Sequence, residues 1–502
     1  MDPIDLLASP VLRVRVGTSI RVTTLPDLLA LLGSDQVEGF VGAQAHQEHA
    51  FYAFLVQVAA LALQRAGKAE PTQSAEFWHA ELIGLSGGSR SAWTLVEPDL
   101  TKPAFLQPPV LDGTLADFKN ELATPDALDI LVTAKNHDVK SARMVAATPD
   151  QWVYALLTLQ TMGGFSGRGN YGVARMNGGF GNRPLVAFAP SLRKGQRFLI
   201  DVAALVREHD ATAVDYGYSL RGGAALLWLT PWNGLPPAQS TTELDPWFVE
   251  VCRRVRLTTQ AGGIQARMRP TTAGRVAAGD RNGKMGDPWT PIDKKAEKAL
   301  TIGGSGFNYR VVQQLLLSGD YQPALCMHAS LDAPLLLLSA LVRGQGTTEG
   351  FHERVLPIPP NASRRLNDDR TRLAEDSKGR IDDVALVRNK VLRPAIRALL
   401  DAGASGGRLD DRPDRWVDAF ERRVDSAFFI LLWGGPEGLG EPDAGWLAFL
   451  KGAAQAELES AIGGAPLPTV RRAKAIASAE RVFHGGFYNQ FKTRLPERGA
   501  NG

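Results

Sequence analysis

Residues 148–172 read TPDQWVYALLTLQTMGGFSGRGNYG. Thr148 followed by Pro149 is a helix start, a hydroxyl N-cap with proline at the first helical position. Trp152, Ala155, Leu156, Leu159 and Met162 then recur at helical spacing until Gly163 ends the run. Gly167 to Gly172 satisfies GxGxxG, which in a dinucleotide-binding unit follows a strand and opens a helix, so that pyrophosphate meets the helix N-terminus. Here the order is reversed: the helix comes first, and VARMNGGFGNRPLVAFAP (173–190) runs on into a strand-like segment. The order argues against a doubly wound nucleotide fold. What remains is either a flexible turn or a loop whose glycines, at 163, 164, 167, 169 and 172, remove the side chains that would hold a ligand off the backbone.

Working outward, Val11 to Val16 is strand-like, while Leu25 to Leu32 and Phe51 to Leu63 carry apolar residues at helical spacing, so the first part mixes α and β. Prolines punctuate KPAFLQPPVL (102–111), and a strand-like Leu128 to Ala134 leads into a polar loop, Lys135 to Arg143. Downstream, DAPLLLLSALVR (332–343) and FHERVLPIP (351–359) face each other across Gly344 to Gly350 and predict a hairpin. Its end, Arg343-Gly-Gln-Gly-Thr-Thr-Glu-Gly350, is ordinarily an exposed turn, but a glutamine between glycines on a two-stranded arm can enter between bases. Past Pro360 the extended signals fade. Four amphipathic stretches, at 382–402, 415–433, 445–462 and 469–491, are separated by connections such as GGPEGLGEPDAG (434–445) and GGAPLP (463–468), and Pro394 should bend or break the first. The fold class expected is α+β: a large mixed N-terminal domain over 1–362, then a C-terminal four-helix bundle over 363–502.

Composition narrows the function. Hydrophobic residues at 44% and charged residues at 22% of 502 are globular values, and no stretch approaches the roughly 20 apolar residues of a membrane span. The opening MDPIDLLASPVLRVRVG lacks the features of a secretory signal, so a cytoplasmic protein is expected. Cys252 and Cys326 stand alone without a CxxC, and His46 and His49 lack further ligands at zinc spacing, so neither a disulfide nor a metal is expected. His137, His328, His352 and His484 have no nucleophile signature near them, and no GxxxxGK[ST] occurs, which removes the usual P-loop. No cofactor is called for, and the chain reads as non-enzymatic.

The net charge, 56 minus 53 or +3, is too small to identify a polyanion binder, but its distribution is uneven. From Phe165 to Arg197 there are six basic residues (Arg168, Arg175, Arg183, Arg193, Lys194, Arg197) and no acid, and from Val251 to Lys298 eleven Lys/Arg stand against four Asp/Glu. Both segments read as irregular and glycine-rich, where charge is less readily a helix's solvated face.

The ordered combination of a polar loop with Asn136, the helix ending in GGFSGRG, the segment NGKMGDPWTP (282–291), a hairpin with Gln345 at its end and a helical C-terminus containing AFERRVDSAFF (419–429) resembles the CasA family, the large subunits of the type I-E CRISPR surveillance complex, Cascade. The resemblance implies a subunit that reads the protospacer-adjacent motif of double-stranded target DNA, mainly from the minor groove, whose degenerate pattern suits permissive reading. By that resemblance Gly163, Gly164, Gly167 and Gly169 form the motif-reading loop, and Arg275 or Arg269 stands where many relatives place a lysine finger. Gln345, with Arg343, is the wedge that opens the first base pairs. Lys135, Asn136, Lys140 and Arg143 meet the crRNA and neighbouring subunits; Arg168, Arg175, Lys294, Lys295, Arg471, Arg472 and Lys474 meet DNA phosphates. The implied partners are crRNA, duplex DNA, the other Cascade subunits and a recruited helicase-nuclease that cuts. The mid-chain CxxC pair of some relatives is missing here. The alternative from another class is an enzyme on a nucleotide or phosphorylated metabolite cradled by residues 163–172, which would require a preceding strand and an acidic ribose partner; residues 183–197 hold no acid.

Overall fold

The computed structural model describes residues 3–129, 144, 147–176, 181–260, 263–327, 333–344, 347–401, 413–434, 443–464 and 469–495, without the side chains of 343, 344, 347, 348, 443, 469 and 470. The chain divides into two compact units, Met1–Phe307 with Asp320–Pro357, and Asn308–Gly319 with Ile358–Gly502.

The helix Ala45–Ala66 organises the first unit. It starts where the Gln44 amide donates to Oε1 of Gln47 at 3.0 Å, and it stops at Gly67, whose φ of 64° is the left-handed cap that glycine tolerates best. Every residue from His49 to Leu63 is buried. A helix apolar on all sides belongs in the interior, and the helices Pro149–Met162, Lys194–Tyr216 and Ala75–Leu85 pack around it together with the strand Leu244–Val249. The expected helix after Thr148 runs Pro149–Met162, with the Thr148 amide donating to Oε1 of Gln151 at 2.9 Å. The strand-like reading of Leu128 is overturned: Pro125–Leu128 is one helical turn, and 130–134 lie outside the described residues.

The predicted hairpin is present. Leu335–Gly344 pairs with Thr347–Pro357 on one side and Leu185–Ala189 on the other, all antiparallel. Gly344 opposes Thr347, which leaves two residues for the connection. A second antiparallel sheet joins Asn120–Leu122, Gly263–Arg269 and Arg254–Gln260.

Among its described residues the second unit is helical: Pro360–Asp368, then Arg370–Leu386 continuing through a wide turn, Val387–Leu392, into Arg393–Asp401, then Asp414–Trp433, Asp443–Gly464 and Thr469–Phe491. The first long helix starts twelve residues before the expected 382, since Leu373 and Ser377 are buried in a stretch too polar to read. Pro394 does not break it. The Arg393 amide reaches back to the carbonyl of Arg388, so one widened turn absorbs the proline. Proline also leaves the Lys390 carbonyl without its usual donor, and Gly486 of the last helix lies so near that a Cβ there would be 3.1 Å from that oxygen.

A single cut at 362/363 misses one excursion. Residues 308–319 belong with the helices: Tyr309 donates to Glu421 at 2.9 Å, Arg310 pairs with Glu421 at 3.0 Å and Gln313 donates to Ser377 at 3.0 Å. These partners lie more than 60 residues away in sequence, beyond the reach of local pattern. Among the described residues no helix is long and apolar enough to cross a membrane.

Candidate functional site

From Met162 the chain turns so tightly that a Cβ at Gly163 would stand 2.9 Å from the Leu159 carbonyl. Gly163 ends the helix as expected, but with φ −64°, so steric room and not a left-handed backbone selects glycine there. The amide of Val173 donates to the Gly163 carbonyl at 2.9 Å and closes a loop. Its two limbs touch where a Cβ at Gly172 would lie 2.5 Å from the backbone of Gly164 and Phe165. At the far end Ser166 donates to the Asn170 carbonyl at 2.9 Å and Asn170 to that of Gly167 at 3.0 Å. Gly167 and Gly169 have φ of 97° and 88°, which side-chain-bearing residues avoid. Arg168 is exposed between them.

The base of the loop is gripped from three directions. The Gly164 amide donates to Oδ1 of Asn182 at 3.0 Å, and its carbonyl accepts from Arg253 at 3.1 Å. On the outgoing limb the Ala174 amide donates to Glu250 at 2.8 Å. Near the turn, the Thr271 amide donates to the Gly169 carbonyl at 3.0 Å. Gly163 and Gly164 are thus buried anchors, and Gly169 is buried too, against Pro270. Of the four glycines expected to read a motif, Gly167 is the one partly open to solvent, next to the exposed Arg168.

Asn182 also faces the hairpin, its Nδ2 donating to the Leu341 carbonyl at 3.1 Å. Pairing with Leu185–Ala189 ends at Ser339 opposite Leu185. Ser339 meets Nδ1 of His49 at 2.6 Å, and the other ring nitrogen lies 3.0 Å from the Arg183 carbonyl. Burial is the largest influence on His49 and pushes its pKa down to about 3, so it is a neutral brace. His46 turns instead to Asp129 at 2.7 Å. Among the described residues no three His, Cys, Asp or Glu side chains gather as a metal site. Glu250 lies among arginines, yet burial dominates and pushes its pKa up to about 7.

The basic stretches are largely consumed by the fold. Arg175, expected on DNA phosphate, is 2% exposed and donates to the carbonyls of Pro246 and Phe248. Arg275, the first candidate finger, is 4% exposed and donates to the carbonyls of Leu227, Thr230 and Pro231. Arg256 caps the carbonyls of Glu97, Asp99 and Lys102. Irregular backbone leaves carbonyls without ladder partners, and a guanidinium satisfies several at once. Arg183 pairs with Asp287 in the core. The expected irregular charge at 193–197 opens the helix Lys194–Tyr216, where Arg193 pairs with Asp35 and Glu38, Lys194 with Glu48 and Arg197 with Asp201.

Of the remaining candidates, Arg269 is partly exposed and pairs with Asp117 at 2.9 Å; it precedes Pro270, which packs on Gly169. Lys294 and Lys295 are exposed on a turn. Arg471 and Lys474 are exposed on the last helix, whereas Arg472 donates to the Ile462 carbonyl at 3.0 Å. Lys135, Asn136, Lys140, Arg143 and Gln345 lie outside the described residues, as does the side chain of Arg343. Sequence reading missed Asn182, Arg253 and Glu250, whose roles depend on partners 18 to 159 residues distant.

A sequence profile of CRISPR-associated protein Cse1 matches residues 5–456. Among solved structures the chain is similar to Thermus thermophilus CasA (Cse1), at 17% identity and a TM-score of 0.64 over 97% of this chain and 100% of that one. Cse1 from Acidimicrobium ferrooxidans gives 15% and 0.65 over 99% and 100%. A chain of a structure described as a CRISPR RNA-guided surveillance complex, pre-nicking, gives 14% and 0.54 over 97% and 99%. No curated protein sequence matches. At these identities the structures speak to the fold, and the profile, spanning nearly the whole length, shows the family: the chain belongs to the Cse1 family of CRISPR-associated proteins.

Proposed function

We propose that this chain is a cytoplasmic, non-enzymatic large subunit of an RNA-guided Cascade complex. It reads a short motif in duplex DNA and separates the adjoining base pairs, so that guide RNA can begin to pair. Family membership supports the assembly. The observation that carries the finer reading is the pair of bonds made by Asn182, one to the glycine loop at Gly164 and one to the hairpin at Leu341. Two projections suited to DNA, one poor in side chains and one carrying Gln345, share a single anchor.

In this reading the Gly167–Asn170 turn lies against minor-groove edges, with Arg168 on a phosphate and Arg269 alongside. Gln345 and Arg343 enter the stack beside the motif. The segment 135–143 meets the crRNA and neighbouring subunits, and Lys294, Lys295, Arg471 and Lys474 lie along DNA phosphates. Cutting belongs to a recruited helicase-nuclease. Unstacking the first step costs about a few kcal/mol, and the strand exchange that follows is nearly balanced, so a wedge and a few phosphate contacts suffice to start it. The phosphate-cradle alternative loses ground because the amides of Gly164, Ser166, Asn170 and Val173 already have acceptors within the protein.

The test is Gln345→Ala in the assembled complex, with R-loop formation followed on matched DNA supplied as intact duplex and as a pre-opened bubble. Loss confined to the intact duplex is expected; unchanged opening of that duplex overturns the wedge.

A further inference from the structure

Asn182 is 2% exposed, and both of its side-chain bonds go to main-chain atoms of segments that are not its neighbours in sequence. We propose that Asn182 is a positioning residue that keeps the end of the hairpin in register with the glycine loop, so that a duplex held at the loop meets the hairpin at one particular base step. The proposal rests on the motif-reading function above and deepens it.

The physical case begins where the sheet runs out. Leu185–Ala189 supports the hairpin only as far as Ser339, and beyond that point its two strands pair with each other alone. Ala340, Leu341 and Val342 remain buried there, but the ribbon carries a register shift between Val342 and Arg343, the kind of irregularity that bends and twists a strand, so packing alone does not fix the direction of its end. The Leu341 carbonyl, two residues past the last three-stranded pair, receives the Asn182 amide as if the ladder continued for one more step. Gly344, which ends the strand, is three residues further, about 10 Å at the usual rise. The required accuracy follows from the ligand: successive phosphates on one DNA strand are about 3.4 Å apart along the axis, close to the roughly 3.3 Å rise of one strand residue. A slip of one residue at the hairpin would therefore miss by a whole base step.

Asparagine suits the task because one planar amide offers an acceptor, used by Gly164, and a donor, used for Leu341. A buried carboxyl at the same place does both only while protonated, and ionised it turns a second lone pair on the Leu341 carbonyl. Burial raises the pKa of such a carboxyl, which supplies a titratable test.

The experiment compares wild-type, Asn182→Leu and Asn182→Asp chains in the full RNA-guided complex. It measures the affinity for motif-bearing duplex, the rate at which the first base pairs open, read with a fluorescent base analogue, and capture of a pre-opened bubble. Asn182→Leu is expected to slow opening about tenfold, the scale of one or two lost buried hydrogen bonds, and to weaken motif affinity by clearly less than that. Arg253, Glu250 and Thr271 still hold the loop, whereas the hairpin beyond Ser339 loses its bond to Asn182; bubble capture should be unchanged. Asn182→Asp should open duplex at nearly the wild-type rate at low pH and lose that rate as pH rises, while the wild-type rate relative to bubble capture stays level. Affinity and opening falling together in Asn182→Leu would mean that the residue only holds the loop, and no change in either would mean that it holds nothing of consequence; both overturn the proposal. A wild-type complex that binds motif-bearing and scrambled duplex alike overturns the motif-reading function itself, and the positioning role with it.

Discussion

The carboxylate of Glu250 accepts the backbone amide of Ala174 at 2.8 Å. Three residues along, Arg253 grips the Gly164 carbonyl on the opposite limb. A short link between the strands Leu244–Val249 and Arg254–Gln260 therefore holds both ends of the glycine loop. Arg175, Arg183 and Arg275 and the Ala174 bond favour the ionised form of Glu250, but burial outweighs them.

This anchor should be visible in the pH dependence of stability. The pKa of Glu250 is raised from 4.5 to about 7, so the folded protein holds a proton that the unfolded chain releases. The resulting stabilisation is fully present below the unfolded pKa and is lost as pH rises to about 7, a change of roughly 3 kcal/mol. Glu250→Gln keeps an acceptor for Ala174 and does not titrate. The melting temperature of Glu250→Gln minus that of wild type is expected to grow between pH 4.5 and 7 and to level off above. A difference independent of pH would refute the assignment.

How far sequence carried the reading depended on how far apart the interacting residues lie. The helix Pro149–Met162 and the hairpin Leu335–Pro357 were legible because a cap, a period and a turn are local. The glycine loop was legible as a loop, but not its division into buried glycines at 163, 164 and 169 and a surface at Gly167 and Arg168, which is set by Asn182, Arg253 and Thr271 folding back on it. Charge counting failed most clearly. The run from Phe165 to Arg197 has no acid of its own, yet Asp35, Glu38, Glu48, Asp201 and Asp287 neutralise much of it from elsewhere in the chain.

The same division orders the effects of alanine at three glycines. Gly167→Ala meets no atom within 4 Å and suffers only its positive φ, about 1 kcal/mol. Gly169→Ala has a similar backbone and also brings its Cβ to 3.0 Å from Pro270. Gly172→Ala would force main chain apart, its Cβ lying 2.5 Å from the Gly164 backbone, at a cost of roughly 3 kcal/mol or more. Urea unfolding of the three variants should rank them in that order, and a Gly167→Ala more destabilising than Gly172→Ala would contradict the loop's geometry.

Arg168 and Arg275 should separate binding from stability. Both were candidates for DNA, but Arg275 lies under Trp232 with its guanidinium on three carbonyls, while Arg168 is exposed on the loop's turn. Removing Arg275 strands those acceptors in a buried site, so Arg275→Ala is expected to lower unfolding free energy by about 2–4 kcal/mol. Arg168→Ala should leave stability within about 0.5 kcal/mol. In the assembled complex it should weaken duplex binding and reduce the slope of log affinity against log salt by about one, the signature of a single lost phosphate contact. Because counterion release depends on the number of phosphates neutralised and not on base identity, the loss should be similar for motif-bearing and scrambled duplex. An Arg168→Ala complex with an unaltered salt slope would remove this residue from the DNA surface and leave the turn's backbone as its only reading element.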